Sequence, residues 1–554
     1  MVFEYIRPGC YIDVYTMKAS KLIYLLFVLL VLSVTPSFGQ IVADPNDRLY
    51  VDLELWQNRG LIGSLPPLRP YPLQLVKKAL TDVVERGNEA DQELARMYLG
   101  QMGEGNHLHA VISSLGRTDT NRGYAQVGVE GSMQGSVIPS ISYSTITGIV
   151  AVQGSGTAVL PEFGRTNLDF VNDGSVHPIG PTGLTPRMSM IAGAALGNES
   201  DYFQAGVLRG SFGPFWGDNA ILSPSSPQSG HFSLTLQQGS YTVTMALMEI
   251  SETNNNGGGG PVPDKYMALN GLELYPTDWL TLGVYEAVVW GPRFEPLYLL
   301  PVISFYAQGM AGYHDNSFIG ISGGVKLPGA VKADFLLYVD DASFNDLLRL
   351  RFNTMLVLSF QTGVSWTPNL PLLTRLSANI LLVTPYTYSH TDDNGNLPGN
   401  PNYLNYTNQG QNIGPSIQPD SARFEVNALL RPVTYLDLNL FGRLTLHGNG
   451  SEGIPNMPTT ANGSIFDPGY DNNGHATFAP GYALPAGMVY TRFLTQSVLE
   501  KSLQAGFDAR LNLDTLIGHV QVSLGYTFQY IINVDLTASN ALNNFLSLGV
   551  VYTY

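Results

Sequence analysis

The sequence predicts a mainly β protein: a transmembrane antiparallel β-barrel of about 18 strands with a small N-terminal periplasmic α-helical module. Three observations predict it. Charged residues make up 13% of the 554 residues, against ~25% in soluble globular proteins. The longest apolar run, Leu22 to Val34, lies near the N-terminus, so no internal apolar helix explains that deficit. The chain ends in NNFLSLGVVYTY, where Leu546, Leu548, Val550, Tyr552 and Tyr554 form one row and Phe545, Ser547, Gly549, Val551 and Thr553 the other. A soluble protein usually lets its terminus fray. This chain commits its last residues to a two-faced strand.

Residues 1–39 read as a secretory signal. Lys18 and Lys21 precede the apolar LIYLLFVLLVLSV, and Ser37-Phe38-Gly39 offers small residues for cleavage before Gln40. That run is short beside the ~20 apolar residues of a membrane helix. Residues 1–16 precede a normal start at Met17 and read as an over-extended start. Cys10, the only cysteine, falls in this segment, so the mature chain has neither disulfide nor thiolate metal site. It keeps 25 of the 28 Lys/Arg and 42 of the 44 Asp/Glu, a net charge of −17. Nucleic acid is excluded as a partner, because phosphate binding needs concentrated Lys and Arg.

Residues 40–116 carry helical spacing. Leu49, Leu53 and Trp56 mark one stripe, with Gly60 as a stop. Beyond PPLRPYP, Leu73, Val76, Leu80, Val83 and Val84 mark a second helix, with Pro72 at its start. Asn88, with Asp91 three residues on, opens a third helix bearing Leu94, Met97 and Tyr98. Three short helices bury little core alone, so docking at the barrel mouth is expected.

Residues 117–554 carry period-two alternation. Within 521–530, Val522, Leu524, Tyr526, Phe528 and Tyr530 oppose Gln521, Ser523, Gly525, Thr527 and Gln529. The stretches 423–430, 435–446 and 503–514 behave likewise. Further strands are expected in 123–133, 137–152, 186–196, 201–211, 240–250, 265–275, 278–290, 317–326, 330–339, 349–363 and 372–386, while 296–306 is ambiguous because of Pro296 and Pro301. Soluble sandwiches also alternate. Strand length, aromatic ends and the export signal favour the membrane, where only a closed barrel satisfies every backbone group of a sheet. The last strand must then pair with the first. Long Gly/Asn/Pro-rich connections at 171–187, 252–264, 388–421 and 448–499 suit extracellular barrel loops.

Between these strands lie GSFGPFWGDNAILSPSS (210–226), NGLELYPTDWLTLGVYEAVVWGPRFEPLYLLP (270–301) and HDNSFIGISGGVKL (314–327). This region resembles the capsule-assembly Wzi family of outer-membrane barrels. The resemblance rests on Trp216-Gly217, Asn219, Leu222-Ser223-Pro224, Leu272-Glu273, Trp279-Leu280, Gly283 with Glu286, Tyr298-Leu299-Leu300-Pro301 and Asp315-Asn316. Gly271 and Leu300 depart from the family's usual Arg and Asn. The terminal aromatic also resembles the assembly signal of bacterial outer-membrane proteins, read by the barrel-assembly machinery on Leu546, Leu548, Val550, Tyr552 and Tyr554. The resemblance implies an outer-membrane protein that binds or organises surface polysaccharide in a lectin-type role. The other reading is a porin or transport channel for small solutes, drawn from the alternating polar wall.

The candidate ligand-binding residues are Arg209, Trp216, Asp218, Asn219, Glu273, Glu286, Trp290, Arg293, Glu295, Asp315 and Asn316. The charged ones either brace the barrel interior or touch ligand. Trp216 and Trp290 either stack on sugar rings or sit in an aromatic girdle. Asp437, Arg443, Asp508 and Arg510 are expected to pair across the interior wall. His231-Phe232-Ser233 resembles the His-x-Ser of outer-membrane phospholipase, but two letters do not make a triad, and no enzyme is expected. His390 to Asn396 and Asp471 to Asn473 lack a full calcium-loop spacing and read as turns. The tract 257–260 lacks the Lys-Ser/Thr of a phosphate loop and reads as a linker. No cofactor or metal is expected. The expected partners are outer-membrane lipid and surface polysaccharide, with the protein a monomer.

Overall fold

The computed structural model describes residues 44–101, 109–119, 124–132, 146–158, 184–251, 264–291, 293, 295–299, 315–342, 356–390, 404–408, 411–449, 465, 493–515 and 518–553. The expected signal segment and much of the two longest loops, including 391–396 and 471–473, lie outside the described residues, as does 257–260.

Three helices open the described chain: α1 (Arg48–Asn58), α2 (Leu73–Arg86) and α3 (Glu89–Gln101). Asp47 caps α1 by accepting from the Leu49 amide at 2.9 Å. Asn88 caps α3 by accepting from the Asp91 amide at 2.9 Å, as its position three residues upstream leads one to expect. Gly60 follows α1 at φ 75°, a left-handed stop that suits glycine. The apolar stripes meet as read: Leu49, Leu53, Trp56, Val76, Leu80, Val83 and Leu94 form one buried core. Polar bonds lock it. Trp56 Nε1 donates to Asp91 at 3.0 Å, and Arg59 holds the same carboxylate.

The strands are β1 (Leu68–Arg69), β2 (His109–Asp119), β3 (Tyr124–Ser132), β4 (Ile146–Ala158), β5 (Leu184–Gly197), β6 (Asp201–Leu208), β7 (Ser211–Phe212), β8 (Ser229–Gln238), β9 (Tyr241–Ile250), β10 (Lys265–Thr277), β11 (Leu280–Trp290), β12 (Asn316–Leu327), β13 (Val331–Ala342), β14 (Leu356–Trp366), β15 (Leu373–Val383), β16 (Thr407–Asn408), β17 (Gln411–Asn412), β18 (Ser421–Val433), β19 (Leu436–His447), β20 (Glu500–Thr515), β21 (Gly518–Ile532) and β22 (Asn540–Thr553). All but the four two-residue strands join one antiparallel sheet, each pairing with its neighbours in chain order. The sheet returns on itself: β22 pairs with β21 on one edge and with β2 on the other, from His109↔Thr553 to Asp119↔Asn543.

Two of these strands escape the sequence reading. The first, β2, begins at 109, so the sheet starts before the expected boundary at 117. HAVISSLGRTD has no continuous apolar row to announce it; its pairing with β22 defines it. The second, β8, contains the His231-x-Ser233 pair. Residues 296–299 form a 3₁₀ turn instead of a strand, which the prolines at 296 and 301 favour.

Two faces of the sheet differ in chemistry. On β10, β11 and β12, Leu272, Leu274, Leu282, Val284, Ile319 and Ile321 point outward and are 40–51% exposed. Met267, Leu269, Tyr285, Ala287 and Phe318 point inward and are buried. Such an outward apolar row forgoes roughly 1.5–3 kcal/mol of burial per large side chain in water, so the outer face demands an apolar solvent. Short connections (239–240, 278–279, 328–330, 367–372, 434–435) lie at one end of the sheet, and the long ones at the other. The helices dock on the short-turn end. Arg59 donates to the Thr367 and Pro368 carbonyls, Asn88 to Asn369, and Arg48 to the Thr434 carbonyl.

Candidate functional site

The connection 209–228 leaves β6 at the long-loop end and folds inward as a strap. Inside the sheet, β7 pairs with β1, in the register Leu68↔Phe212 and Arg69↔Ser211. The strap then doubles back through a bridge between Phe212 and Leu222. Gly213, at φ 127°, makes the bend, where a Cβ would meet the Asn219 amide at 2.7 Å. Buried Asn219 staples the bend from the other side. Its Nδ2 donates to the Phe215 carbonyl at 2.9 Å, and its Oδ1 accepts from the Ile221 amide at 3.0 Å. Arg69 donates to Ser211 Oγ and to the carbonyls of Gly213 and Phe215. Its guanidinium also lies 4.8 Å from the Trp216 ring centre, a cation–π contact. Tyr71 meets Trp216 edge-on at 6.2 Å.

Above the strap lie 384–390, 404–408 and 411–420 of the next long loop. Tyr388 and Tyr406 donate to the Ala220 and Ile221 carbonyls, both at 2.8 Å. Their rings cluster with Phe318 and Tyr338 of the inner face, Phe318 stacking on Tyr338 at 5.2 Å. Asp218 ties strap, loop and sheet together. It accepts from the Ser416 amide and hydroxyl at 2.9 and 2.6 Å, and pairs with Arg423 of β18.

A cavity of about 320 Å³ lies beside the strap. Its walls are α1, strap residues 214–218 and the inner faces of β13 to β15 and β18 to β20. Ion pairs line its length. Arg48 meets Asp437 at 2.5 Å, Arg375 meets Glu54 at 2.6 Å, Arg443 meets Glu425 at 3.0 Å, and Arg423 meets Asp218. This corrects the expected wall pairing. Asp437 is held by Arg48 of α1 and by Arg431, and Arg443 by Glu425. Asp508 and Arg510 face the cavity from β20 and are exposed there. At the helix end the network extends to Asp52. That carboxylate accepts from Arg431 and from the Tyr98 hydroxyl, both at 2.7 Å. Burial alone would raise the Asp52 carboxyl, but Arg431 and Arg48 hold it below its ordinary value.

The candidate residues divide into separate groups. Trp216 and Asp218 line the cavity, and Asn219 shapes the strap behind them. Arg209 sits at the strap's entry, 3.5 Å from Asp44. Glu273 is buried on the inner face of β10, accepting from Tyr285 at 2.6 Å and Tyr275 at 2.8 Å. Arg293, Glu295, Asp315 and Asn316 gather at the long-loop rim. Arg293 pairs with Asp315, and Glu295 lies 3.8 Å from Arg293 and accepts from the Leu297 amide. Tyr298 donates to Asp315 at 2.6 Å, and Asn316 to the Leu404 carbonyl at 2.9 Å. These are bracing contacts.

Glu286 corrects the expectation that the charged motif residues brace the barrel interior, and Trp290 follows it in the same row. Both share the strand parity of outward Leu282 and Val284, opposite inward Tyr285. Trp290 packs on Tyr298 at 5.0 Å and Tyr266 at 5.7 Å, a buried aromatic group on the outer side of the rim. His231 Nε2 and Ser233 Oγ lie 3.1 Å apart, but on the inner face. Both are sealed, at 0% and 2% exposure, so no lipid reaches the pair. The ion-pair residues Arg48, Asp52, Glu54, Arg375, Arg423, Glu425 and Arg431 escape the sequence reading. Arg375, Arg423, Glu425 and Arg431 signal only as charges on strands, and Arg48, Asp52 and Glu54 as charges on a helix.

No protein-family model matches the chain, and no curated protein sequence matches it. Solved structures do. One is Wzi of Escherichia coli, described as an outer-membrane protein involved in group 1 capsule assembly and a carbohydrate-binding β-barrel. The two are 13% identical, with 93% of this chain and 99% of that chain covered and a TM-score of 0.55. OccK8 (OprE) of Pseudomonas aeruginosa is 10% identical, covering 81% of this chain and 97% of that one, with a TM-score of 0.42. OprD of the same organism is 10% identical, covering 81% and 92%, also with a TM-score of 0.42. The likeness to Wzi is one of fold: the chain has the architecture of an outer-membrane β-barrel.

Proposed function

We propose that this chain is an outer-membrane barrel of eighteen strands that binds or organises surface polysaccharide through its external loops. The helices face the periplasm and the long loops face outward, following the usual placement of short and long barrel connections. The observation that carries this reading is the filled interior. A barrel of this size leaves an aqueous channel unless something occupies it. Here the strap, the N-terminal segment and the loop residues Tyr388, Leu404, Tyr406 and Ile413 pack together inside the rim. The described parts of loop 384–420 are thereby held in place. Residues 388–421 and 448–499 together hold one Arg and no Lys, while Asn, Gly and Tyr abound. Such a surface suits hydrogen bonding and stacking with a neutral polymer better than binding to a strongly anionic one. The transport reading is kept by one observation: exposed Asp508 and Arg510 on the inner face of β20.

Orientation is tested by cysteine labelling on intact cells. A cysteine at Gln411, exposed in the β16–β17 hairpin, is expected to react with an impermeant maleimide, and one at Asn88 to stay unlabelled. Labelling at Asn88 alone reverses the orientation. Function is tested in a planar bilayer and on cells. The purified protein is expected to conduct far below porin level, and deletion of 450–490 to release cell-surface glycan. Steady porin-like conductance with unchanged glycan retention replaces the polysaccharide reading with the transport one.

A further inference from the structure

We propose that the 320 Å³ interior cavity is itself a binding site, for a neutral, hydroxyl-rich unit of one or two sugar rings. This rests on the carbohydrate reading above and adds a place that the loops do not supply.

The volume is the first argument. Ligand pockets run from ~300 to 1,000 Å³, so this one admits a small ring compound and not a folded chain. The charge pattern is the second. Five guanidiniums and six carboxylates line the cavity, and Lys332, 3.1 Å from Asp334, supplies the sixth cation from behind the wall. The wall is therefore balanced. At Arg48, Arg375, Arg423 and Arg443 a free anion has to displace a resident carboxylate, and at their partners a free cation a resident guanidinium; exposed Asp508 and Arg510 add one charge of each sign. A hydroxyl needs no such exchange. A guanidinium has five N–H donors and a carboxylate about four acceptor positions, so paired groups keep spare capacity for neutral donors and acceptors. The Arg443 side chain, 34% exposed beside Glu425, keeps part of that capacity open.

The third argument is an apolar wall beside the polar one. Phe215 and Trp216 line the cavity at the strap. Arg69 and Tyr71 clamp the Trp216 ring, so little side-chain entropy is lost when a ligand packs on it. An aromatic ring on one side and paired Asp/Glu/Arg with Asn379 on the other matches the two chemistries of a sugar, C–H faces and equatorial hydroxyls.

The test uses the purified full-length protein in detergent, with microcalorimetry and tryptophan fluorescence. The probes are lactose and maltose (neutral), digalacturonate (anionic) and glucosamine (cationic). Saturable binding of a neutral disaccharide is expected, at least 10-fold tighter than either charged probe. Trp216→Leu and Asn379→Ala are each expected to weaken it at least 10-fold, while Leu282→Ala on the outer face leaves it unchanged. Heat-modifiable migration identifies the folded variants. Absence of saturable binding by any neutral probe overturns the proposal, as does binding untouched by both cavity variants. If deletion of 450–490 abolishes disaccharide binding and the cavity variants do not, the cavity site fails while the polysaccharide reading stands. If neither binding nor glycan retention is found, both fall.

Discussion

Deletion of Val550 to Tyr554 is expected to abolish membrane assembly. In the intact chain, residues 550–553 of β22 pair with Ile112 to His109 of β2 and with Val522 to His519 of β21. The truncation leaves both neighbours with bare edges, on the order of four backbone hydrogen bonds lost on each side. In hydrocarbon, each unsatisfied group costs several kcal/mol. No other strand is free to take the place, since every other strand of the sheet already has two partners. The expected phenotype is loss of heat-modifiable, protease-resistant protein from the outer membrane, with degradation in the periplasm. Wild-type amounts of inserted truncated protein would show that the seam lies elsewhere.

Asp52→Ala is expected to undock the helices while leaving the barrel inserted. Asp52 is buried and bridges three elements: Arg48 of its own helix, Tyr98 of α3 and Arg431 of β18. Its loss leaves Arg48 and Arg431 sharing Asp437 alone. Removing one partner from a buried network typically costs about 3–5 kcal/mol. Limited proteolysis should then cut within 59–72 at least 10-fold faster, and bilayer conductance should rise. The charge also sets a pH dependence. The folded carboxyl titrates below its unfolded value, because Arg431 and Arg48 outweigh burial. The stabilisation is therefore complete above the unfolded value near ~4, and is lost as pH falls through the lower folded value. Docking in the wild type should loosen only in strongly acidic buffer, and Asp52→Asn should blunt that response. Unchanged protease resistance in Asp52→Ala would move the docking energy to the apolar core.

The sheet was legible in most strands with one apolar face, although β8, whose Phe232, Leu234 and Leu236 share such a face, was passed over. Rows such as Leu436, Leu438, Leu440 and Leu444 carry their own parity. The helices were legible for the same reason at the other period, and Asn88 and Gly60 marked their ends. Where no apolar row exists, as in HAVISSLGRTD, the strand is made by its partner and sequence periodicity is silent. Glu286 is a different case: its parity with Leu282 and Val284 was visible, and its charge was read as inward because charges inside a membrane must find partners. The strap was legible as a motif and illegible as a place. Its position depends on Arg69, 142 residues before Ser211, and no local pattern encodes that pairing. The paired wall of the cavity was hidden likewise, since pairs such as Arg48 with Asp437 and Arg375 with Glu54 join charges on different elements.

The pairing of β1 with β7 inside the sheet has a consequence for the order of assembly. Contacts that seat the N-terminal segment join residues 281 to 389 apart in sequence, among them Asn88 with Asn369, Asp52 with Arg431 and Arg48 with Asp437. Contacts of such separation form late, after a large loss of chain freedom. Yet the seam between β2 and β22 joins the strand that follows that segment to the last strand made. Once the seam is sealed, a folded three-helix unit that packs against the strap has only the barrel mouth as its way in. The ring must therefore close around its own N-terminus, or admit it through the short-turn mouth before α1 locks to Arg431. In the closed barrel proposed above the segment is captive either way, and its exchange between copies requires opening the wall.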